Sequence, residues 1–348
     1  MTDHAAASSA AASSAASSSA APLDAAGSVE LAVVERSGMI ESRHLGAAVV
    51  ARADGTVLRA WGDAQALLYP RSSLKPLQAI AVLRSGLALD GERLALATAS
   101  HTGTERHVAV VREILDSAAL DESALRCPAD WPDDADSAFA ARMARLGRRR
   151  VMMNCSGKHA AFLAACVQND WPIDTYLDPA HPLQHLVRQT IEEFAGESVA
   201  HTGVDGCGAP LFAITLRGLA TAIARVAGSP ATDPSGPAAS LISAVRANPW
   251  AIDGPGEPDT VIIERLGLFA KAGAEGVMVV GGPDGTAVAL KMLDGGRRAG
   301  FLVALRILAS VGVVDAALAA VVARELTAPV LGGGLPVGQI RLADGILP

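Results

Sequence analysis

Apolar and polar positions follow two different periods along this chain, and the two periods occupy different regions. From Val29 onward, short apolar runs lead into the segment 46–62, where AAVVARA and TVLRAWG flank Asp54-Gly55. Strand-like stretches around an Asp-Gly pair predict a β-hairpin, because glycine supplies the positive φ that a tight turn needs. A second such signal comes late, where GVMVVGG and TAVALKML flank Pro283-Asp284-Gly285. Between the hairpins, apolar residues recur at helical spacing over 76–88, 104–118, 158–169, 183–195, 210–227 and 235–247, with two further helices expected at 297–312 and 314–326. Strands from both ends enclosing a helical middle predict an α+β fold: an antiparallel sheet built from N- and C-terminal strands and packed with helices.

Residues 1–28 stand outside this pattern. They are Ala- and Ser-rich, with too few large apolar groups to offset the entropy of ordering, and are expected to form a disordered tail before a single unit at 29–348. The Pro- and Gly-rich stretches near 228–236 and 253–258 read as surface loops of that unit. Half of the 348 residues are hydrophobic, enough for a substantial core. Lys plus Arg number 29 against 36 Asp plus Glu, without a basic block, which argues against nucleic-acid binding and for a small ligand. No uninterrupted apolar run reaches about eighteen residues, so no transmembrane helix is expected. The N-terminus lacks the charged start and Leu-rich centre of a secretion signal, which points to the cytoplasm. Four cysteines are too few for a disulfide framework, leaving buried, catalytic or metal-bound thiols.

The lysines narrow the chemistry. Only four of the basic residues are Lys: Lys75, Lys158, Lys271 and Lys291. Arg serves wherever a plain positive charge is enough, whereas a desolvated Lys can lose its proton and become a base or a metal ligand. Lys291, in an expected strand beside a hairpin turn, reads as incidental. The other three each fall within a distinctive motif.

Ser72-Ser73-Leu74-Lys75-Pro76 contains Ser-x-x-Lys, and Pro76 is best tolerated in a first helical turn, so a helix should begin near Ser72 or Ser73. That spacing puts Ser72 and Lys75 on one face, where a neutral amine can take the serine proton and the helix N-terminus favours a developing anion. Alone, the motif reads more simply as a helix cap with a solvated lysine. Ser100-His101-Thr102-Gly103 and Lys271-Ala272-Gly273 follow in the chain. The order Ser-x-x-Lys, Ser-x-Thr, Lys-x-Gly resembles that of serine β-lactamases and penicillin-binding proteins. A further pair of motifs, Asn154-Cys155-Ser156-Gly157-Lys158-His159 and Asp205-Gly206-Cys207-Gly208-Ala209-Pro210, reads as two loops opening helices, whose thiols and amine would form part of a tetrahedral zinc site. Two structural thiols are the simpler alternative. Cys166, on a helical apolar face, reads as core, and Cys127 lacks such a motif.

Together, RSSLKP, ASHTG, NCSGKH, VDGCGAP and AKAGAEGV resemble the signature segments of the rhizobial-type (class 3, asparaginase II family) L-asparaginases, in family order and from about Val29 to the C-terminus. The resemblance implies a fold similar to serine β-lactamases and glutaminases, a homodimer, and two Ser-Lys tandems beside a zinc ion. By motif, Ser72 and Lys75 match one tandem and Ser100 and Lys271 the other. Cys155, Lys158 and Cys207 match the zinc ligands, and His159 and Asp205 the pocket lining. Arg71 is a plausible partner for a substrate carboxylate. Glu257, in the loop 253–260, departs from the resemblance where relatives commonly show Arg; it bears on substrate preference and leaves the catalytic set intact.

The expected reaction is hydrolysis of the side-chain amide of L-asparagine, with Ser72 the preferred nucleophile, Lys75 its base, and Ser100 and Lys271 assisting. One rival is a penicillin-recognising Ser-x-x-Lys hydrolase, disfavoured by the lack of an export signal. Another is a non-catalytic zinc or thiol module, which leaves the lysines of the other motifs unexplained.

Overall fold

The computed structural model describes residues 20–347. Eleven strands are defined among them: β1 (Val29–Arg36), β2 (Met39–Arg52), β3 (Val57–Trp61), β4 (Leu67–Leu68), β5 (His201–Val204), β6 (Pro210–Thr215), β7 (Phe269–Ala272), β8 (Val277–Gly281), β9 (Thr286–Met292), β10 (Val330–Gly332) and β11 (Leu335–Leu342). The main sheet runs β10-β11-β1-β2-β9-β8-β7, with β3 also paired to β2, and every pairing is antiparallel. Both hairpins expected from Asp-Gly turns are present, and Val49 pairs with Ala60 on one side and Ala289 on the other. The α+β arrangement is the one the sequence pattern predicts. A small second sheet has the order β4-β6-β5.

The helices are α1 (Lys75–Arg84), α2 (Gly91–Ala97), α3 (Glu105–Ser117), α4 (Ala135–Met143), α5 (Ser156–Gln168), α6 (Pro182–Ala195), α7 (Leu216–Thr232), α8 (Pro237–Ala247), α9 (Pro258–Leu266), α10 (Gly300–Ser310) and α11 (Ala316–Glu325). The main sheet is covered on both faces. Gly281 of β8 lies against α7, where a Cβ would meet that of Ala227 at 2.7 Å, while Met278, three positions back and hence on the opposite face, packs near Gly300 of α10. That double cover explains why every residue of β8 is buried. Helix α1 packs against α5, α6 and α8, and its first eight residues are all buried, Lys75 and Gln78 among them.

Three local expectations need correction. The stretch near 228–236 is a loop only beyond α7, which runs on through Pro230 to Thr232 with Gly228 and Ser229 buried. The segment 210–227 is not one helix: PLFAIT forms β6, buried along its whole length, and the helix starts at Leu216, with the Thr215 hydroxyl accepting from the Gly218 amide. A continuous apolar run suits a buried strand as well as a helix, and its Phe, Ile and Thr favour the strand. For the same reason the loop carrying Cys207 opens a strand, joining β5 to β6. Of the expected tail, residues 1–19 lie outside the described residues. Ala21 runs beside β4, its carbonyl accepting from the Leu67 amide at 2.8 Å, and Leu23 packs on the core. Among the described residues no helix is long and apolar enough to cross a membrane.

Candidate active site

The Ser-x-x-Lys motif forms a 3-10 turn, Arg71–Leu74, that runs directly into α1 at Lys75, with Pro76 in the first helical turn as expected. Arg71 has φ = 54°, a left-handed conformation uncommon for a residue with a side chain and characteristic of functional turns. The turn is pinned to the sheet. Ser73 is buried and donates to the Lys271 carbonyl at 3.1 Å, and a Cβ on Gly273 would meet the Pro70 carbonyl oxygen at 2.6 Å. Only glycine lets the end of β7 come this close.

The two lysines expected to pair with serines have different partners. Lys75 is buried, and its Nζ lies 2.5 Å from the Ala99 carbonyl oxygen and 2.9 Å from Ser100 Oγ. Ser72 is half-buried, and its hydroxyl has no hydrogen-bond partner among the described residues. Lys271 is also buried, but its Nζ donates to Asp259 Oδ2 at 3.1 Å and to the Ala272 carbonyl at 3.2 Å. In this arrangement Ser100 is bonded to Lys75 and not to Lys271. Burial pushes the Lys75 amine below the usual lysine range; Cys155 opposes this, while Lys271 and Lys158 add to it. Backbone bonds fix the Ser100 segment: Ser100 N–H donates to Ile252 O at 2.9 Å, His101 N–H to Asn154 O at 3.1 Å and Thr102 N–H to Asp253 O at 2.7 Å. His101 is fully buried and accepts at Nδ1 from the Gly103 amide, so its proton sits on Nε2, 2.9 Å from Ser156 Oγ. Burial lowers its pKa well below the usual value, and it stays neutral.

The two cysteine motifs converge beside this pair. Cys155 directly precedes α5, whose first turn is drawn against α2: a Cβ on Gly157 would meet the Leu96 carbonyl oxygen at 2.6 Å. Lys158 Nζ lies 3.1 Å from Cys207 Sγ, and Cys207 Sγ lies 3.3 Å from Asp205 Oδ2. Ligand atoms of Cys155, Asp205 and Cys207 all lie within 4.8 Å of one another. Arg71 Nε donates to Asp205 Oδ1 at 2.7 Å, tying the Ser-Lys turn to the thiol loop. The Cys207 pKa is lowered, first by hydrogen bonding with the Cys155 thiol and then by Lys158 against the effect of burial. Burial alone would lower the Lys158 pKa, but Cys207, Cys155 and Asp205 together raise it. Cys127 and Cys166 are not among the converging ligand atoms, and their thiols are pushed up to about 11 and about 12, mainly by burial.

The donor set suits a small thiophilic cation. Two sulfurs and an amine converge with a carboxylate at hand, and the fully buried His159 leaves Nε2 without a hydrogen-bond partner beside Cys207. Its Nδ1 lies 2.7 Å from the Tyr176 hydroxyl. His159, expected in the pocket wall, thus lies between Tyr176 and Cys207, and Asp205, expected in the same wall, faces both the thiols and Arg71. Sequence reasoning missed Asp253 and Asp259. Asp259 lies in the first turn of α9, where an acid reads as ordinary helix chemistry. Asp253 is pushed up to about 7, first by burial and then by Asp259 and Glu257, against Lys271 and Arg297. Glu257 itself is exposed at the N-cap of α9. A groove of about 940 Å³, lined by Leu23, Leu67, Tyr69, His201 and Val204 among others, shares only Arg71 with this cluster.

A buried lysine bonded to a serine hydroxyl, beside a second serine, thiols and an acid, is the equipment of an amidohydrolase. The chain belongs to the L-asparaginase II family, whose model matches residues 32–342. No curated protein matches it. Among solved structures it is similar to Mglu in its native form, at 14% identity and TM-score 0.42, over 76% of this chain and 63% of that one. The chain thus spans less than two thirds of the Mglu chain. It is also similar to a β-lactamase from Mycobacterium bovis, at 18% identity and TM-score 0.41, over 81% and 95% of the two chains. A Bacillus glutaminase is similar at 11% identity and TM-score 0.37, over 78% and 92%.

Proposed function

We propose that the protein is an L-asparaginase, hydrolysing the side-chain amide of L-asparagine to L-aspartate and ammonia through a serine acyl-enzyme. Family membership supports the substrate, and one observation carries the mechanism: Lys75, buried and in contact with no carboxylate, lies 2.9 Å from Ser100 Oγ one helical turn after Ser72. Ser72, whose hydroxyl is free and partly exposed, attacks the amide carbon, and Lys75 takes its proton directly or through Ser100. The same proton returns to the departing ammonia, and water then hydrolyses the acyl-enzyme. Arg71 and Asp205 offer opposite charges suited to the carboxylate and amino groups of an amino-acid substrate.

Cys155, Lys158 and Cys207, with Asp205 beside them, would hold zinc. The ion would supply positive charge next to the reacting groups and order the two loops. Four free thiols, two of them adjacent, support a reducing compartment such as the cytoplasm. A homodimer remains part of this reading on the family resemblance, and sedimentation of the purified protein tests it. The function is tested by ammonia release from asparagine, glutamine and simple amides. Nitrocefin turnover without ammonia from asparagine would replace this reading with that of a penicillin-recognising hydrolase.

A further inference from the structure

Helix α4 turns its side chains the wrong way round for a helix that serves only its own fold. Its buried residues are two alanines, Ala138 and Ala141, while Phe139 and Met143, four positions apart and so on one face, are 65% and 69% exposed. Leu146, just past the helix end, is 48% exposed. An amphipathic surface helix ordinarily points its large apolar residues at the core. Here the small ones face inward and the large ones face solvent, which forgoes apolar burial that the chain could otherwise have gained.

The charge pattern sits at the same place. The formal net charge of −7 predicts no basic block, yet residues 142–150 hold five arginines and no acid. Arg149 pairs with Glu122, and Arg150 donates to the Leu125 and Cys127 carbonyls. Arg142, Arg145 and Arg148 are exposed and have no acidic partner among the described residues; Arg142 only overlies Trp131, 5.2 Å from its ring centre. The acids of this segment gather at the other end of α4. Asp134 caps the first turn, accepting from the Ser137 amide at 2.7 Å, Asp133 accepts from Asn154 Nδ2 at 3.4 Å, and Asp136 is exposed. A basic residue in the last helical turn, such as Arg142, is ordinary helix chemistry, but Arg145 and Arg148 lie beyond it. Arg145 has φ = 54° just past the helix end, where glycine ordinarily stands, so an arginine is placed there at the expense of backbone strain.

Exposed apolar groups interleaved with unpaired arginines match a surface that is anionic outside and apolar just beneath. The nine residues of α4 span only about 14 Å, so their face falls well short of the roughly 800 Å² that each partner gives to a stable protein interface. A lipid surface needs no matching shape and gains from each side chain separately. We infer that Phe139, Met143 and Leu146, with Arg142, Arg145 and Arg148 around them, dock the protein reversibly on an anionic membrane surface. The three apolar side chains enter the headgroup boundary and the guanidinium groups meet lipid phosphates, with α4 lying in the plane of the surface. This goes beyond the proposed hydrolysis and does not depend on it.

Co-sedimentation of the full-length protein with vesicles tests the inference. At about 0.1 M salt the protein should bind vesicles of equal parts phosphatidylglycerol and phosphatidylcholine but not phosphatidylcholine alone, and about 0.5 M salt should release most of it. Phe139→Ser and Met143→Ser together should weaken binding at least about tenfold. Arg142→Gln, Arg145→Gln and Arg148→Gln together should weaken it about a hundredfold. All of these side chains are exposed, so both variants should fold, and an unchanged melting temperature checks that. The inference is overturned if the wild-type protein stays in the supernatant, binds neutral vesicles equally well, or is unaffected by either set of replacements. It is also overturned if the Phe139→Ser, Met143→Ser protein is a monomer where the wild type is a dimer, which gives the face to a second copy. Heparin that holds this double variant as tightly as the wild type, while vesicles hold neither, gives the arginines to a soluble polyanion and overturns it likewise.

Discussion

Lys75 Nζ sits 2.9 Å from Ser100 Oγ, although the two residues lie on different elements, the start of α1 and the loop after α2. The contact brings together two motifs that the sequence assigns to separate tandems. It makes Lys75 the lysine whose removal should be felt at both serines.

Lys75→Arg should therefore be as crippled as Lys75→Met, each losing about a hundredfold or more in kcat/KM, because a guanidinium cannot accept the serine proton. Lys291→Arg should change activity by no more than about twofold, since Lys291 Nζ only donates to the Glu275 and Met292 carbonyls away from the cluster. Because burial lowers the Lys75 pKa, the rising limb of the pH–rate profile should lie below the ordinary lysine value of about 10.4. Substantial turnover by the arginine variant would remove Lys75 from the role of base.

Protein purified without chelator should contain about one zinc per chain. Cys155→Ser and Cys207→Ser should lose it, while Cys127→Ser and Cys166→Ser, whose thiols are outside the group of converging ligand atoms, should retain it. Affinity should weaken as pH falls, since thiols and amine must shed protons to bind. Elemental analysis that finds no metal, or a loss confined to the Cys127 variant, contradicts the assignment.

The acyl group should form on Ser72. A slow amide substrate followed by peptide mass spectrometry would locate it. Modification of Ser100 would exchange the roles of the two hydroxyls, and modification of Cys155 would replace the serine mechanism altogether.

Asp253 makes stability depend on pH with an unusual sign. Its carboxyl is raised in the folded state to about 7, whereas an unfolded aspartate titrates near about 3.9. Between those values the folded protein binds more protons than the unfolded one, so this group's contribution falls as pH rises through the window and levels off above it. Asp253→Asn should gain in melting temperature relative to the wild type between pH 5 and pH 8. A difference that stays constant, or runs the other way, would show that Asp253 ionises normally.

Much of this was legible in the chain, for physical reasons. The Asp54-Gly55 and Asp284-Gly285 turns announce their hairpins locally, and Pro76 fixes the helix start. A scarce lysine in three of the five motifs singled out those segments. Helices α2, α4 and α9 and the β10–β11 hairpin were not foreseen, since each is too short to show a clear hydrophobic period. The Lys75–Ser100 and Lys271–Asp259 pairings could not be read either, because they depend on how α1, α9 and β7 meet. Spacing along the chain records only which residues share a turn.

Gly273 has a consequence for the distance between the two lysines. Lys75 rides on the helical layer and Lys271 on the sheet, and the missing side chain at 273 is what lets those layers touch, at the Pro70 carbonyl. The gap between the two amines is thus set by a shim of zero thickness. A methyl group added at that position would act as a wedge, prising the Arg71–Leu74 turn from the sheet without altering a single charged or nucleophilic group.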